Sequence, residues 1–469
     1  MFILSLLFLF FNLHLLSPYS SLYLHSIRDM PVPINISGMT HSYTNLSNNF
    51  VRSLTLPNIN NNVSNSLINI PKLSNVSKVA KIIQIDDNNI NNNNNNNSYN
   101  YNDHNNANNN SILNHRQLIS LDYVKNPLNT VTVSSYNILS RHYLWESLYN
   151  YLPQNFTNWN NRLNRLDKNF IDLSKISDIM CFQEMEYQVY QNHWKNLFNK
   201  IGYSSIFNKK PKPAYWKKSS NMMDGVSIAY NKEKFDLINF EQVNFANNFK
   251  HSSIIEQTLD TETRLNIRNT VALIAVLKHK LTNEVIFISN THLYWSPKHD
   301  DVKLMQSYLL TNLIKNTVLR YYNITETELN ERIKNKNGPN IIMTGDFNSN
   351  PNSMVYKFLS NGSINKNLEP SFNQDYGSNI NGILKNNLGT FKSPYKDLYN
   401  EKIFTKTTYT PKYKDVIDYI WFADDNKNFK FTKVLADIDE NYLKDFKGFP
   451  NSEFPSDHLP ILSQFEFIK

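Results

Sequence analysis

Five short polar clusters stand against apolar runs along this chain, and they constrain its fold more than any other feature. They read Ser135-Tyr136-Asn137, Gln183-Glu184, Asn290-Thr291-His292, Gly345-Asp346-Phe347-Asn348-Ser349 and Ser456-Asp457-His458. The run before the first cluster, 131–136, alternates apolar and polar residues and is rich in β-branched side chains, the pattern of a strand. Residues 179–182 and 340–343 are short apolar runs that also read as strands. Carboxylates, amides and imidazoles then collect at strand ends, which a fold can bring together in space.

The segments between them alternate in character. Leu163, Leu166, Phe170, Leu173 and Ile176 recur at helical spacing across 162–176. Residues 225–230 read as a strand, and 270–277 with 285–289 as a strand pair joined by a turn over 278–284. Leu304, Tyr308, Leu309 and Leu313 mark an amphipathic helix. Asn350-Pro351 has the form of an N-cap followed by proline, which starts a helix through Phe358. Residues 416–422 and 459–467 supply late strands. The alternation indicates an α/β fold with antiparallel pairs included.

Composition limits how much of the chain shares this core. Residues 34–114 are dominated by Asn and Ser, with an unbroken Asn run from Asn91 to Asn97. Such a stretch has too little apolar surface to offset its ordering entropy and is expected to be disordered. We divide the chain into an apolar segment (1–20), a disordered region (21–127) and one large domain (128–469). The apolar segment is shorter than a usual membrane span and lacks a basic start. It reads as a signal, an organellar leader or a marginal anchor, and any membrane association is expected only through it. The lone cysteine, Cys181, excludes an internal disulfide and reads as a small core residue. The net charge of +8 suits a polyanionic partner. Lys209-Lys210-Lys212 and Lys217-Lys218 are candidates to follow a phosphate backbone, although alone they read as solvated loop surface.

The chemistry of the clusters is that of phosphate-ester cleavage. A phosphodiester is anionic and repels hydroxide, so cleavage needs a divalent cation and groups that position water. Mg²⁺ prefers oxygen ligands and keeps several waters. Glu184 and Asp346, with the amides Asn137 and Asn348, form an oxygen-rich set, and His292 and His458 are suited to contact phosphate. Asp457 stands next to His458 and is a candidate to fix its tautomer. Taken singly, each cluster is an ordinary strand end, cap or buried histidine.

Taken in order, the clusters resemble the endonuclease/exonuclease/phosphatase superfamily, and within it the carbon-catabolite-repression-type group of deadenylases, Angel, nocturnin and the 2′,5′-phosphodiesterase. Cys181-Phe182-Gln183-Glu184, Asp224-Gly225-Val226-Ser227-Ile228, Asn290 through Pro297, Val302-Lys303-Leu304-Met305-Gln306, Ile417-Asp418-Tyr419-Ile420 and Pro455-Ser456-Asp457-His458 carry the likeness. The resemblance implies a four-layered α/β sandwich of two mixed sheets flanked by helices. It implies that Glu184, helped by Asn137, holds one or two Mg²⁺ or Mn²⁺ ions. Asp346 would activate water, Asn348 would bind the scissile phosphate, and His292 and His458 would stabilise the transition state. Asp418 and Asp457 would support the histidines or a second ion. Pro297 and Tyr413 fall where the deadenylases sandwich an adenine, with Asp415 in place of a common glycine.

The activity so implied is 3′-to-5′ RNA exonuclease, with 3′ poly(A) as the expected partner and the cytoplasm as its place. A 2′,5′-phosphodiesterase and a nocturnin-like 2′-phosphatase remain alternatives, the former favoured by residues 290–297. The inositol-phosphatase branch is disfavoured because Ile417-Asp418-Tyr419-Ile420 stands where that branch carries Trp-Cys-Asp-Arg. A non-catalytic RNA-binding module is disfavoured because every cluster is intact. No leucine-rich repeat precedes Pro127, so docking into a deadenylase complex through such repeats is not expected.

Overall fold

The computed structural model describes residues 112–423 and 428–468. The expected apolar segment and nearly all of the Asn-rich region lie outside the described residues.

Seventeen strands are present among them. They are β1 (Leu118–Ser120), β2 (Thr130–Asn137), β3 (Ile179–Glu186), β4 (Tyr203–Lys209), β5 (Asp224–Asn231), β6 (Phe235–Asn244), β7 (Val271–His279), β8 (Val285–His292), β9 (Asn340–Asp346), β10 (Ser363–Asn365), β11 (Ile383–Lys385), β12 (Phe391–Lys392), β13 (Thr408–Tyr409), β14 (Lys414–Asp415), β15 (Asp418–Ala423), β16 (Phe429–Leu435) and β17 (Ile461–Phe467). One sheet has the order β1-β16-β17-β2-β3-β5-β4 and the other β12-β15-β9-β8-β7-β6. Each contains a single parallel pair, β2 with β3 and β8 with β9, and every other pairing within them is antiparallel. The helix Trp159–Ser174 makes the first crossover, and Asp300–Tyr322 with Glu326–Lys334 makes the second.

Side-chain alternation builds the layers. Val131, Val133, Ile179, Cys181, Val226 and Ile228 join the second sheet in one core. Tyr136, Met180 and Phe182, on the opposite face, meet Leu166, Phe170 and Leu173 of the first crossover helix. The arrangement is a sandwich of two mixed sheets flanked by helices. The thiol of Cys181 is pushed up to about 12 by burial, which fits a core residue and not a nucleophile.

Buried amides join the sheets. Asn290 on β8 donates through Nδ2 to the carbonyls of Phe182 (2.9 Å) and Ser227 (2.8 Å) in the other sheet. Its Oδ1 accepts from Gln183 Nε2 at 2.7 Å. Asn208 on β4 donates in the same way to Val243 and Ala272.

Several expected boundaries shift for identifiable reasons. The first crossover helix begins earlier, because Asn158 caps it by accepting from the Asn161 amide. The helix placed after Asn350-Pro351 begins instead at Met354 with Ser353 as its cap. Asn350 accepts from the Asn352 amide and forms a turn. The expected division at 127/128 falls inside folded chain, since β1 pairs with β16 and Arg116 donates to the carbonyls of Ala436 and Pro460. No helix among the described residues is long and apolar enough to cross a membrane.

Close strand approach requires glycine at Gly345, where φ is +141° and an added Cβ would stand 2.0 Å from the Thr291 carbonyl oxygen. Gly345→Ala should therefore force β8 and β9 apart and cost about 3 kcal/mol or more, read as a lower denaturation midpoint. An unchanged midpoint would show that the strands can yield there.

Candidate active site

The two parallel pairs point the same ends of β2, β3, β8 and β9 toward one edge of the sandwich. Asn137, Glu184, His292 and Asp346 lie at or beside those ends. Asp418 opens the antiparallel neighbour β15 and pairs directly with Asp346. Asp457 and His458 immediately precede β17, the antiparallel neighbour of β2. Seven chemically active residues, distant in sequence, are thus collected by topology.

Glu184 does not end its strand, as the sequence suggests. It sits in a bulge, where the β3–β5 register shifts between Phe182 and Met185, and its own φ is +59°. The bulge turns the side chain to the site while pairing resumes beyond it. Glu184 Oε1 accepts from Asn137 Nδ2 at 3.0 Å, and Oε2 accepts from the Ser140 amide at 2.8 Å. Burial pushes its carboxyl up to about 7, with Lys210 opposing and Asp224 and Asp457 adding to the rise.

Asn137 also donates to Asp346 Oδ2 at 3.0 Å, so one amide nitrogen lies between the two carboxylates. Its Oδ1 accepts from the Leu139 amide. Asn137 thus bridges the two carboxylates through its amide nitrogen. Burial raises the Asp346 carboxyl too, reinforced by Asp418 and opposed by His458 and Asn137.

The histidines flank Asp346 Oδ2, with His292 Nε2 at 3.6 Å and His458 Nε2 at 3.8 Å. His458 Nδ1 is 2.8 Å from Asp418 Oδ2, and because a carboxylate only accepts, the imidazole is the donor. Burial alone would lower the basicity of His458, but Asp418, Asp457 and Asp346 outweigh it and raise its pKa well above the usual value. His292 shifts the other way, through burial and the nearby Lys210 and His458. Asp457 is not the residue that orients His458: its Oδ2 accepts from Tyr149 Oη at 2.7 Å. Asn348, at φ +48°, donates one amide hydrogen to the Leu293 carbonyl at 3.1 Å, and its own backbone amide donates to Asp346 Oδ1.

Pro297 and Tyr413 are exposed, on the loop after β8 and at the tip of the β13–β14 hairpin respectively. Asp415 accepts from Asn350 Nδ2 and the Val416 amide, so it braces that hairpin against the loop after Asp346.

Sequence reasoning missed two participants. Lys210, which reads as loop surface, is buried and pairs with Asp224 Oδ2 at 2.7 Å. Arg162, which reads as an ordinary helix residue, is fully buried. Its guanidinium donates to the carbonyls of Ile138, Leu139 and Pro455, tying the loop after the first cluster to the segment before the last. Only the unbroken lack of acids over 209–223 sets Lys210 in relief in the sequence, and nothing there marks Arg162.

The donor set fits a divalent cation. Ligand atoms of Asp346, Asp418 and His458 lie within 4.8 Å of one another. Glu184 stands outside that cluster, across Asn137. Asp418 Oδ1 and Asp457 Oδ1 are buried without a hydrogen-bond partner. The raised carboxyl groups carry charge that a cation would relieve, and oxygen ligands match hard ions.

Residues 134–458 match the Endonuclease/Exonuclease/phosphatase family. This chain belongs to that family. Among curated proteins it is 35% identical over 341 residues to the CCR4-Not complex 3′-5′-exoribonuclease subunit Ccr4 of Saccharomyces cerevisiae, covering 72% of this chain and 39% of that protein. It is 31% identical to the Ccr4 of Kluyveromyces lactis, covering 73% of this chain and 42% of the relative, so it spans less than half the length of these proteins. It is 32% identical over 368 residues to the RNA exonuclease NGL1 of S. cerevisiae, covering 72% of this chain and 93% of that relative. Among solved structures, ANGEL2, a 2′,3′-cyclic phosphatase, aligns with a TM-score of 0.57 at 23% identity, covering 75% of this chain and 98% of that one. The human nocturnin catalytic domain aligns at 0.50 and 20%, covering 76% and 99%. These structural likenesses establish the same fold for a family member.

Arg162→Met removes the donors of three buried carbonyls and should cost about 3 kcal/mol. A chemical denaturation midpoint equal to that of the unaltered protein would show that the junction holds without the guanidinium.

Proposed function

We propose that this chain is a Mg²⁺-dependent 3′-to-5′ RNA exonuclease that shortens poly(A) in the cytoplasm. The observation that carries the reading is the joining of Glu184 and Asp346 through one Asn137 nitrogen, with both histidines beside Asp346 Oδ2. The Ccr4 and NGL1 relatives support the choice of RNA.

Glu184, with Asp346 alongside, would hold a Mg²⁺ or Mn²⁺ ion. When bound, that ion neutralises phosphate charge and favours deprotonation of water. Asp346 accepts the proton of the attacking water, and the backbone amide of Asn348 on Oδ1 keeps the carboxylate in place. The second amide hydrogen of Asn348 donates to a non-bridging phosphate oxygen. His458, held protonated by Asp418, donates from Nε2 to the pentavalent phosphorus centre's developing charge. His292, held neutral by burial and Lys210, contributes a ring hydrogen bond without adding charge. Asp457 acts through Tyr149 on the loop beneath the site. Pro297 and Tyr413 provide an apolar face and a π-face for the terminal base.

Glu184→Ala should lower kcat on RNA by roughly 10³-fold and leave RNA binding nearly intact. Wild-type turnover by this variant would remove Glu184 from the reaction. Poly(A) labelled at its 5′ end should shorten by single nucleotides in Mg²⁺ and stop on chelation, ahead of mixed-sequence RNA, 2′,5′-linked oligoadenylate and a 2′-phosphorylated dinucleotide. Cleavage of the dinucleotide phosphate alone would overturn the exonuclease reading.

The same site predicts a pH effect on metal use. Burial pushes the Glu184 carboxyl up to about 7, and it must be ionised to bind a cation. Below that pH protons compete, so the Mg²⁺ concentration for half-maximal rate should rise about tenfold per unit of falling pH. A half-saturation constant that stays flat between about pH 8 and about pH 6 would contradict the assignment.

A further inference from the structure

Two loops on the Glu184 side of the site carry aromatic and basic side chains that neither the fold nor the cleavage chemistry uses. The first follows β2. Its Ser140 amide donates to Glu184 Oε2, and it continues through His142 and Tyr143 to Trp145, which is 38% exposed. The second joins β4 to β5 and holds Lys212, Tyr215, Trp216, Lys217 and Lys218, with Tyr215 77% exposed. No Asp or Glu occurs from 209 to 223.

The loops are fixed to each other and to the site. The Trp216 and His142 rings meet edge to face with centroids 5.0 Å apart. Tyr143 Oη donates to Asp224 Oδ1 at 2.9 Å, and Asp224 holds Lys210, so the base of the second loop and the middle of the first share one buried ion pair. Tyr143 and Trp145 pack edge to face at 6.1 Å, and Lys218 Nζ lies 5.8 Å from the Trp216 ring. An acid-free loop with exposed lysines and exposed rings beside this site has the chemistry of a single-strand track: bases stack on π-faces and lysines meet phosphates.

We propose that this rim binds the RNA nucleotides lying beyond the two that flank the scissile phosphate, with Tyr215 and Trp145 as stacking platforms and Lys212, Lys217 and Lys218 as phosphate contacts. The inference rests on the RNA-exonuclease reading of the same site and adds to it a dependence on chain length. Bases are held by stacking, so the rim contributes affinity with little base preference. Selectivity stays with the terminal-base contacts across the site.

Binding of a fluorescent 12-nucleotide single-stranded RNA in chelator, read by anisotropy across a salt series, tests it without any turnover. The Lys212→Ser, Lys217→Ser, Lys218→Ser triple variant should weaken binding at least about 10-fold at low salt. Its slope of log Kd against log salt should be shallower by about 2, since each single-strand phosphate contact contributes about 0.7. Tyr215→Ala should weaken binding roughly 10-fold, whereas Tyr215→Phe, which keeps the ring, should bind normally. With Mg²⁺, KM for the long RNA should rise in the triple variant while KM for a dinucleotide stays unchanged. Equal Kd values and equal slopes in all proteins would overturn the proposal, as would equal KM losses for the dinucleotide and the long RNA. If the unaltered protein binds the RNA through these residues but cleaves none of the substrates, the exonuclease reading fails and the track stands.

Discussion

The architecture turns on a buried amide. Asn290 spends both Nδ2 hydrogens on carbonyls of the opposite sheet and receives a hydrogen from Gln183. Burying three unpaired polar partners would be strongly unfavourable, so the two sheets meet in the one register that satisfies them. Gln183 adjoins the bulged Glu184, and Asn290 lies two residues before His292. The contact that aligns the sheets therefore also sets the distance between the groups each sheet delivers.

Around that alignment the site is organised by charge. Glu184, Asp346, Asp418, Asp224 and Asp457 are all buried, and Lys210 and His458 are the buried cations that answer them. Lys210 lies closest to Asp224 and His458 to Asp418, and Glu184 and Asp346 are joined to each other through a neutral amide. That pair carries the raised carboxyl groups, and it is where positive charge from outside the chain is most strongly favoured. The two histidines, equidistant from Asp346 to within 0.2 Å, are driven in opposite directions by their neighbours. Burial disfavours charge on His292, and the acids around His458 favour it there.

The sequence made the strand-end clusters legible because period-2 alternation and a following polar group need no tertiary information. It showed the α/β class, the mixed sheets, the buried Cys181 and the collection of Glu184, His292, Asp346, Asp418 and His458. It did not show the bulge at Glu184, since a two-for-one pairing depends on the partner strand Asp224–Asn231. Of the two acids expected to support the histidines, Asp418 and not the adjacent Asp457 contacts His458, at 2.8 Å across 40 residues. Lys210 and Arg162 were illegible because a basic side chain reads as solvated until the acids and carbonyls that bury it are placed. The helix starts at Asn158 and Ser353 show how a chain with many Asn and Ser residues offers several caps, among which packing selects.

The order of strands in the first sheet ties its edges to the site. β17, the last of the described strands, lies between β2 and β16, and His458 stands just before it. Without β17, β2 would have an open edge, β1 and β16 would be detached from the sheet's centre, and Asp418 would have no imidazole to orient. Pairing of β17 into the sheet and placement of His458 against Asp418 are therefore one structural event.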